Sequence, residues 1–191
     1  MFGNQVKLIK STSYGSYKWN SSENNTWSSS TLNAGTLNGT YLSGLSSTWQ
    51  NKIATTNWKV GGMSQNSSAT AKQYYDTEIG SSSSSTTYSA KIGLMYVSDY
   101  GFAASPDYWT TELYNYEPSK SSNWMNINLN EWTISRLSVV TDGAFSVYST
   151  GYVRSGLVYF HSYGVRPVFY LTSSITYVSG SGSSADPIRI S

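Results

Sequence analysis

The chain has 191 residues, enough for one domain with its own core and short for two. Charged residues make up 12% and aromatic residues 15%, and the formal charge is +2, so hydroxyls and amides solvate the surface and no nucleic acid partner is expected. The absence of cysteine removes disulfides, thiolate nucleophiles and zinc thiolate sites together.

In chain order, "QVKLIK" reads as a strand and "YGSYKW" (14–19) as its hairpin partner, followed by a polar loop, "NSSENNTWSSSTLNAG". Tyr41, Leu42, Leu45, Trp49 and Ile53 recur on one helical face and predict a helix over 38–54. "WKVGG" (58–62) is a short strand ended by glycines. A second helix is predicted over 67–80, closed by Gly80, with a serine-rich loop after it. Ile92 to Val97 reads as a buried strand. From there to about Asn130 the chain has Trp109 and Trp124 but no periodicity, which predicts long loops packed by aromatic rings. After Trp132 the pattern is all strand and turn: "EWTIS", "AFSVYS", "YVRSGLVYF", "YGVRPVFYL", then a glycine-serine turn and a last short strand. The order describes a single α+β domain over 1–191.

No stretch approaches the ~18 apolar residues of a membrane span, and the N-terminus lacks a signal-peptide pattern. Because a strand begins almost at once, the chain is read as a domain excised from a longer protein whose anchor or signal lies upstream.

Few residues suggest chemistry. His161 is the only histidine, so a Ser-His-Asp triad would need it, with Asp99, Asp142 or Asp186. No G-x-S-x-G elbow accompanies it, and the plain reading is a surface histidine. Asp76 and Glu78 stand two apart on a predicted helix and face different ways. A glycosidase pair would have to come from remote carboxylates such as Glu112, Glu117, Glu131 and Asp142. No phosphate loop, zinc helix or calcium loop occurs, and Glu117-Pro118-Ser119 departs from a lectin's Glu-Pro-Asn, so neither metal nor cofactor is expected. Seven tryptophans and seventeen tyrosines invite a carbohydrate platform or a protein-binding surface, with Trp49, Trp58 and Trp132 expected in the core.

"EWTISR", "AFSVYSTGYV" and "YGVRPVFYL", preceded by "KIGLMYVSDYGFA" and "LNGTYLSGLSSTWQNKI", carry a resemblance. The chain resembles the C-type-lectin-like domains of surface and pilus-associated proteins of gut Firmicutes and of their phages. Trp132 and the run Gly164-Val165-Arg166-Pro167 are the most specific part. The resemblance implies a C-type-lectin-like fold, with two helices, a small mostly antiparallel sheet and long loops. Formylglycine-generating enzymes share that fold group, but their oxygen chemistry uses cysteines that this chain lacks.

The same group includes the variable proteins of diversity-generating retroelements, in which a C-terminal segment is rewritten by mutation of template adenines. Asn codons altered in this way cannot become Lys, Glu, Gln, Met or Trp. None of those five occurs in the 28 residues from Arg136 to Tyr163, although they number 28 in the whole chain. Chance gives such a gap on the order of one time in a hundred, and the gap runs on to Ser191, so β-rich composition accounts for part of it.

The resemblance implies that 136–163 is the exposed, diversifiable binding segment on a fixed scaffold. Strand alternation within it turns Phe145, Val147 and Val153 inward. The contact candidates are Ser138, Val140, Thr141, Asp142, Tyr148, Arg154, Ser155, Phe160 and His161, with Tyr and Arg as anchors and Ser, Thr and Asp as adaptable hydrogen bonders. Structural roles fall to Trp132, Gly164, Arg166 and Pro167. Pro167 restricts Arg166 to an extended conformation, and Arg166 is expected to tie its strand to loop carbonyls or to a carboxylate such as Asp99.

The expected function is therefore non-enzymatic binding of a protein or glycan ligand on another cell or host, at the cell surface, on a pilus or on a phage particle. The alternatives are a structural pilus or envelope subunit and, further off, a glycan-active enzyme.

Overall fold

The computed structural model describes residues 5–64, 68–80 and 82–191. Strands β1 (Lys7–Ile9) and β2 (Gly15–Lys18) form where alternation predicts them but do not pair with each other. The chain continues through β3 (Thr56–Lys59), β4 (Thr87–Ala90), β5 (Ile92–Gly93), β6 (Glu131–Arg136), β7 (Gly143–Val147), β8 (Val153–Leu157), β9 (Ser162–Val165), β10 (Val168–Tyr170), β11 (Tyr177–Ser179) and β12 (Arg189–Ile190). The central sheet has five strands in the order β2-β9-β6-β7-β8. All its pairings are antiparallel except β6 with β9. A second sheet, β1-β10-β5, brings the first strand beside the C-terminal part of the chain. The long-range pairings thus outcompete the local β1–β2 hairpin that the sequence suggests.

The helix predicted over 38–54 is two helices. A wide-turned π-helix covers Leu32–Tyr41, and α1 covers Ser47–Lys52. The break falls at Gly44 to Ser46, where the Ser46 side chain accepts from the Trp49 N–H and caps α1 as a separate helix. Trp49 is consequently exposed rather than in the core, whereas Trp58 and Trp132 are buried as expected. The second predicted helix is α2 (Ala71–Glu78), opened by a reciprocal capping box between Thr70 and Gln73. Its expected first residue, Ser67, lies outside the described residues.

The predicted strand Ile92–Val97 is extended only at Ile92–Gly93, and Val97 instead begins α3 (Val97–Phe102). Asp99 Oδ2 accepts from the Tyr96 N–H at 2.8 Å and turns the chain into that helix. Gly93 is required there, because a Cβ would stand 2.8 Å from the Trp58 ring. Residues 103–130 are short 3-10 turns and loops packed by rings, among them Tyr100–Tyr116 and Phe102–Trp109 at centroid distances of 6.2 and 5.2 Å. Among the described residues, no helix is long and apolar enough to cross a membrane.

Arg166 is 4% exposed. Its Nε and Nη2 donate to the two carboxylate oxygens of Glu131 at 2.7 and 2.8 Å, and Nη2 also donates to the Met125 carbonyl. The loop carbonyl matches expectation, but the carboxylate is Glu131 rather than Asp99, which pairs with Lys7. Glu131 and Gly164 are partners in the β6–β9 register, so the carboxylate stands next to the strand that leads into Arg166.

A second buried carboxylate joins three elements. Glu78, at the end of α2, accepts from the Val97 and Ser98 N–H groups, from the Ser98 hydroxyl at 2.7 Å and from the Ser135 hydroxyl of β6. Burial pushes its pKa up to about 7, with the Ser135 and Ser98 hydrogen bonds opposing the rise and Asp99 adding to it. A carboxyl whose pKa is raised by folding binds its proton more tightly when folded. Its contribution is therefore greatest near pH 4.5 and below, and is lost as pH rises towards 7. Glu78→Gln should flatten that slope, which spans roughly 3 kcal/mol by the usual conversion. Urea titrations of both proteins from pH 4.5 to 8 test this, and parallel stability curves would contradict it.

Candidate functional site

Register decides which side chains share a face of the central sheet. Arg154 stands opposite Ser146, and Ser146 opposite Trp132. Glu131 pairs with Gly164, so Trp132 and Tyr163, next to them in the strands, share the face of Ser146 and Arg154, and their rings lie 4.7 Å apart. Trp132 is buried, and its indole N–H donates to the Tyr17 carbonyl of β2. Through Tyr163 it backs a run of more exposed rings.

Those rings form a continuous ladder. Phe160, 68% exposed, meets His161 edge-on at 5.0 Å, and His161 stacks flat on Tyr163 at 5.1 Å. Tyr163 meets Tyr148 at 6.0 Å with the two hydroxyls 3.3 Å apart, and Tyr148 stacks on Tyr152 at 4.6 Å. The Arg154 guanidinium then lies 5.0 Å from the Tyr152 ring and 4.4 Å from that of Tyr114, whose hydroxyl accepts from Nη2. Burial, followed by the Tyr148 contact, raises the Tyr163 pKa, so at neutral pH this hydroxyl stays protonated and can both donate and accept.

The ladder brings together four of the sequence candidates, Tyr148, Arg154, Phe160 and His161. Ser138, Val140, Thr141 and Asp142 lie in the β6–β7 turn, at the opposite end of β7 from the β7–β8 turn that holds Tyr148. Ser138, Val140 and Thr141 are exposed, and the Asp142 carbonyl accepts from the Val158 N–H. Ser155 faces away from Arg154, as neighbours in a strand must, and stands opposite Phe145. The described ring contacts of His161 are with Phe160 and Tyr163, and of its proposed partners Asp99 is engaged by Lys7 and Asp186 by Arg189.

Tyr114, Tyr152 and Tyr163 are the ladder members that sequence reasoning missed. Tyr152 was within reach, since it stands two residues before Arg154. Tyr114 was not: it comes from a 3-10 turn forty positions away in a stretch without periodicity.

One concavity accompanies this surface. A shallow groove of about 430 Å³ adjoins the ladder at Tyr163 and is lined by Ser13, Ser16, Asn128, Ser149 and Ser162, with no charged side chain along it. A cleft of about 480 Å³ opens elsewhere between Tyr75, Phe102 and Trp124, and its charged groups, Lys7 and Asp99, pair with each other. Among the described residues, no cluster of three or more His, Cys, Asp or Glu could hold a metal ion.

Comparison with models of protein families, with curated proteins and with solved structures returned no match.

Proposed function

We propose that this chain is a ligand-binding module on a C-type-lectin-like scaffold, carried on a cell-surface protein, a pilus or a phage particle, with 136–163 as its diversifiable segment. The observation that carries the reading is the ladder: of its seven side chains, all but Tyr114 lie between residues 148 and 163. They stand on turns, on the edge strand β8 and on β9, where Tyr163 packs on the buried Trp132 indole. Tyrosine, arginine and an exposed phenylalanine are the residue types that anchor protein contacts, and here they are held in place before a ligand arrives. The mixed α and β architecture, with its mostly antiparallel sheets and a loop-rich middle, is compatible with that scaffold. The surface offers rings, hydroxyls and a guanidinium, which suits recognition rather than bond-breaking.

The test is a double variant, Tyr148→Ala with Arg154→Ala, compared with the parent on protein and glycan arrays and then by titration against each hit. The expected result is an affinity loss of about 30-fold or more, the scale of a single hot spot of ~2 kcal/mol, with the thermal midpoint little changed. Unaltered binding by the folded double variant would remove the ladder as the site. Self-association of the parent through this face, seen by light scattering and lost in the variant, would favour a structural subunit instead.

A further inference from the structure

Arg154 is placed differently from the other arginines. It is exposed on an edge strand, and among the described residues no carboxylate lies within ion-pair distance of it. The other three arginines are engaged by protein acceptors: Arg166 by Glu131, Arg189 by Asp186, and Arg136 by the Gly61 carbonyl and the Asn25 side chain. Among the described residues the Arg154 guanidinium is held by tyrosines alone, through the Tyr114 hydroxyl and the faces of Tyr114 and Tyr152. A guanidinium has five donors in a fixed planar fork, and this contact uses one of them. Ring faces restrain the side chain without neutralising it, so the fork is preset and its charge is unspent.

We propose that the partner at this surface is a protein that presents a carboxylate side chain to Arg154 and an apolar side chain to the Phe160 end of the ladder. This rests on the ladder being the binding surface and specifies what binds there. Charge complementarity selects the acid. Phe160 selects a protein over an acidic glycan, because its edge-on contact with His161 leaves the phenyl group mostly exposed, an apolar anchor with no polar group to serve sugar hydroxyls. Glu117 acts on the same Tyr152 hydroxyl that Arg154 does; a carboxylate at this end disfavours a partner that is acidic throughout and favours one acid at a defined place.

The experiment uses the full chain and three immobilised sets. The first is a library of peptides with one Asp or Glu spaced variably from a Leu or Phe. The second is the same library with Asn or Gln for the acid, and the third is an array of sialylated, uronic and sulfated glycans. Binding to members of the first set is expected to fall at least tenfold in the second set, at least tenfold with Arg154→Lys, and markedly between 50 and 500 mM salt. Lysine keeps the charge and loses the fork, so a loss there reports geometry, provided the thermal midpoint is unchanged. Trp124→Ala, in the separate cleft, should leave binding as it is.

Equal binding to the acid and amide sets would overturn the carboxylate inference while leaving the ladder as a binding surface. Binding only to the glycan array would overturn the choice of a protein partner. Peptide binding that survives the Tyr148/Arg154 double variant would overturn both this inference and the reading on which it rests.

Discussion

Replacing Arg166 with methionine is expected to cost about 3–5 kcal/mol, the penalty for leaving one member of a buried ion pair alone. For a chain of this size that lowers the thermal midpoint on the order of 10 °C. Glu131 is 1% exposed, and Arg166 supplies the guanidinium that both of its oxygens meet. Burial already raises the Glu131 pKa, and Arg166 is the force opposing that rise. With Arg166 gone the pKa climbs further, and the sign follows: the variant regains stability as pH falls, because the carboxyl can then be buried as the neutral acid. Adding Glu131→Leu should recover most of the loss, since two apolar groups can replace a buried pair at little cost. Thermal melts of the single and double variants at pH 5 and 7.5 check this. A midpoint change under about 2 °C for the single variant would mean that the pair does not hold β9 to β6. The pair also bears on function, because Trp132 and Tyr163 are the immediate neighbours of Glu131 and Gly164 in the register.

How much of this was legible in the sequence depends on the range over which each interaction acts. Helix α2 was legible because its closing glycine is a local signal, although the predicted start at 67 passes over the capping box that begins it after Thr70. The strands from Glu131 onward were legible because alternation and turn residues are local too, except that "YGVRPVFYL", which reads as one strand, breaks at Arg166-Pro167 into β9 and β10, which belong to different sheets. The β1–β2 hairpin was misread because pairing with β10 and β9 lies more than 140 positions downstream, and no local pattern encodes it. The helix over 38–54 was misread for the opposite reason. Apolar spacing ran through Gly44 and Ser46, but the cap that Ser46 gives to Trp49 divides the segment in two. At the site, alternation within β8 separates Arg154 from Ser155. What it cannot supply is the neighbour across space, so Tyr114, the residue that holds Arg154, had no signal in the chain at all.

Asn25 is the clearest case of such a hidden neighbour, and it carries the second large prediction. It sits in the polar run that reads as loop, yet it is buried, and its side-chain amide donates to the carbonyls of Leu137, Val140 and Gly143 at 2.9, 2.9 and 2.8 Å. Its Oδ1 accepts from Arg136, and its backbone N–H donates to the Thr141 carbonyl. One side chain thus organises the whole β6–β7 turn. Asn25→Asp exchanges one heavy atom, the amide nitrogen for an oxygen, and should cost about 3 kcal/mol or more, because a carboxylate has no hydrogen to donate and would face three carbonyl oxygens without water. Arg136 offsets part of this, and the new carboxyl should stay protonated above its ordinary range, so the loss should shrink as pH falls through 5. Urea midpoints at pH 5 and 8 measure the size and the sign, and hydrogen exchange should show the lost protection concentrated between residues 137 and 143. Equal stability of the two proteins at both pH values would show that the amide is dispensable. The variant also separates the two groups of sequence candidates. It loosens the turn that bears Ser138, Val140, Thr141 and Asp142, while Tyr148, Arg154 and their rings stand at the far end of β7. Ligand binding that survives Asn25→Asp in the folded protein therefore assigns the contact to the ladder, and binding that falls with it assigns a share to the turn.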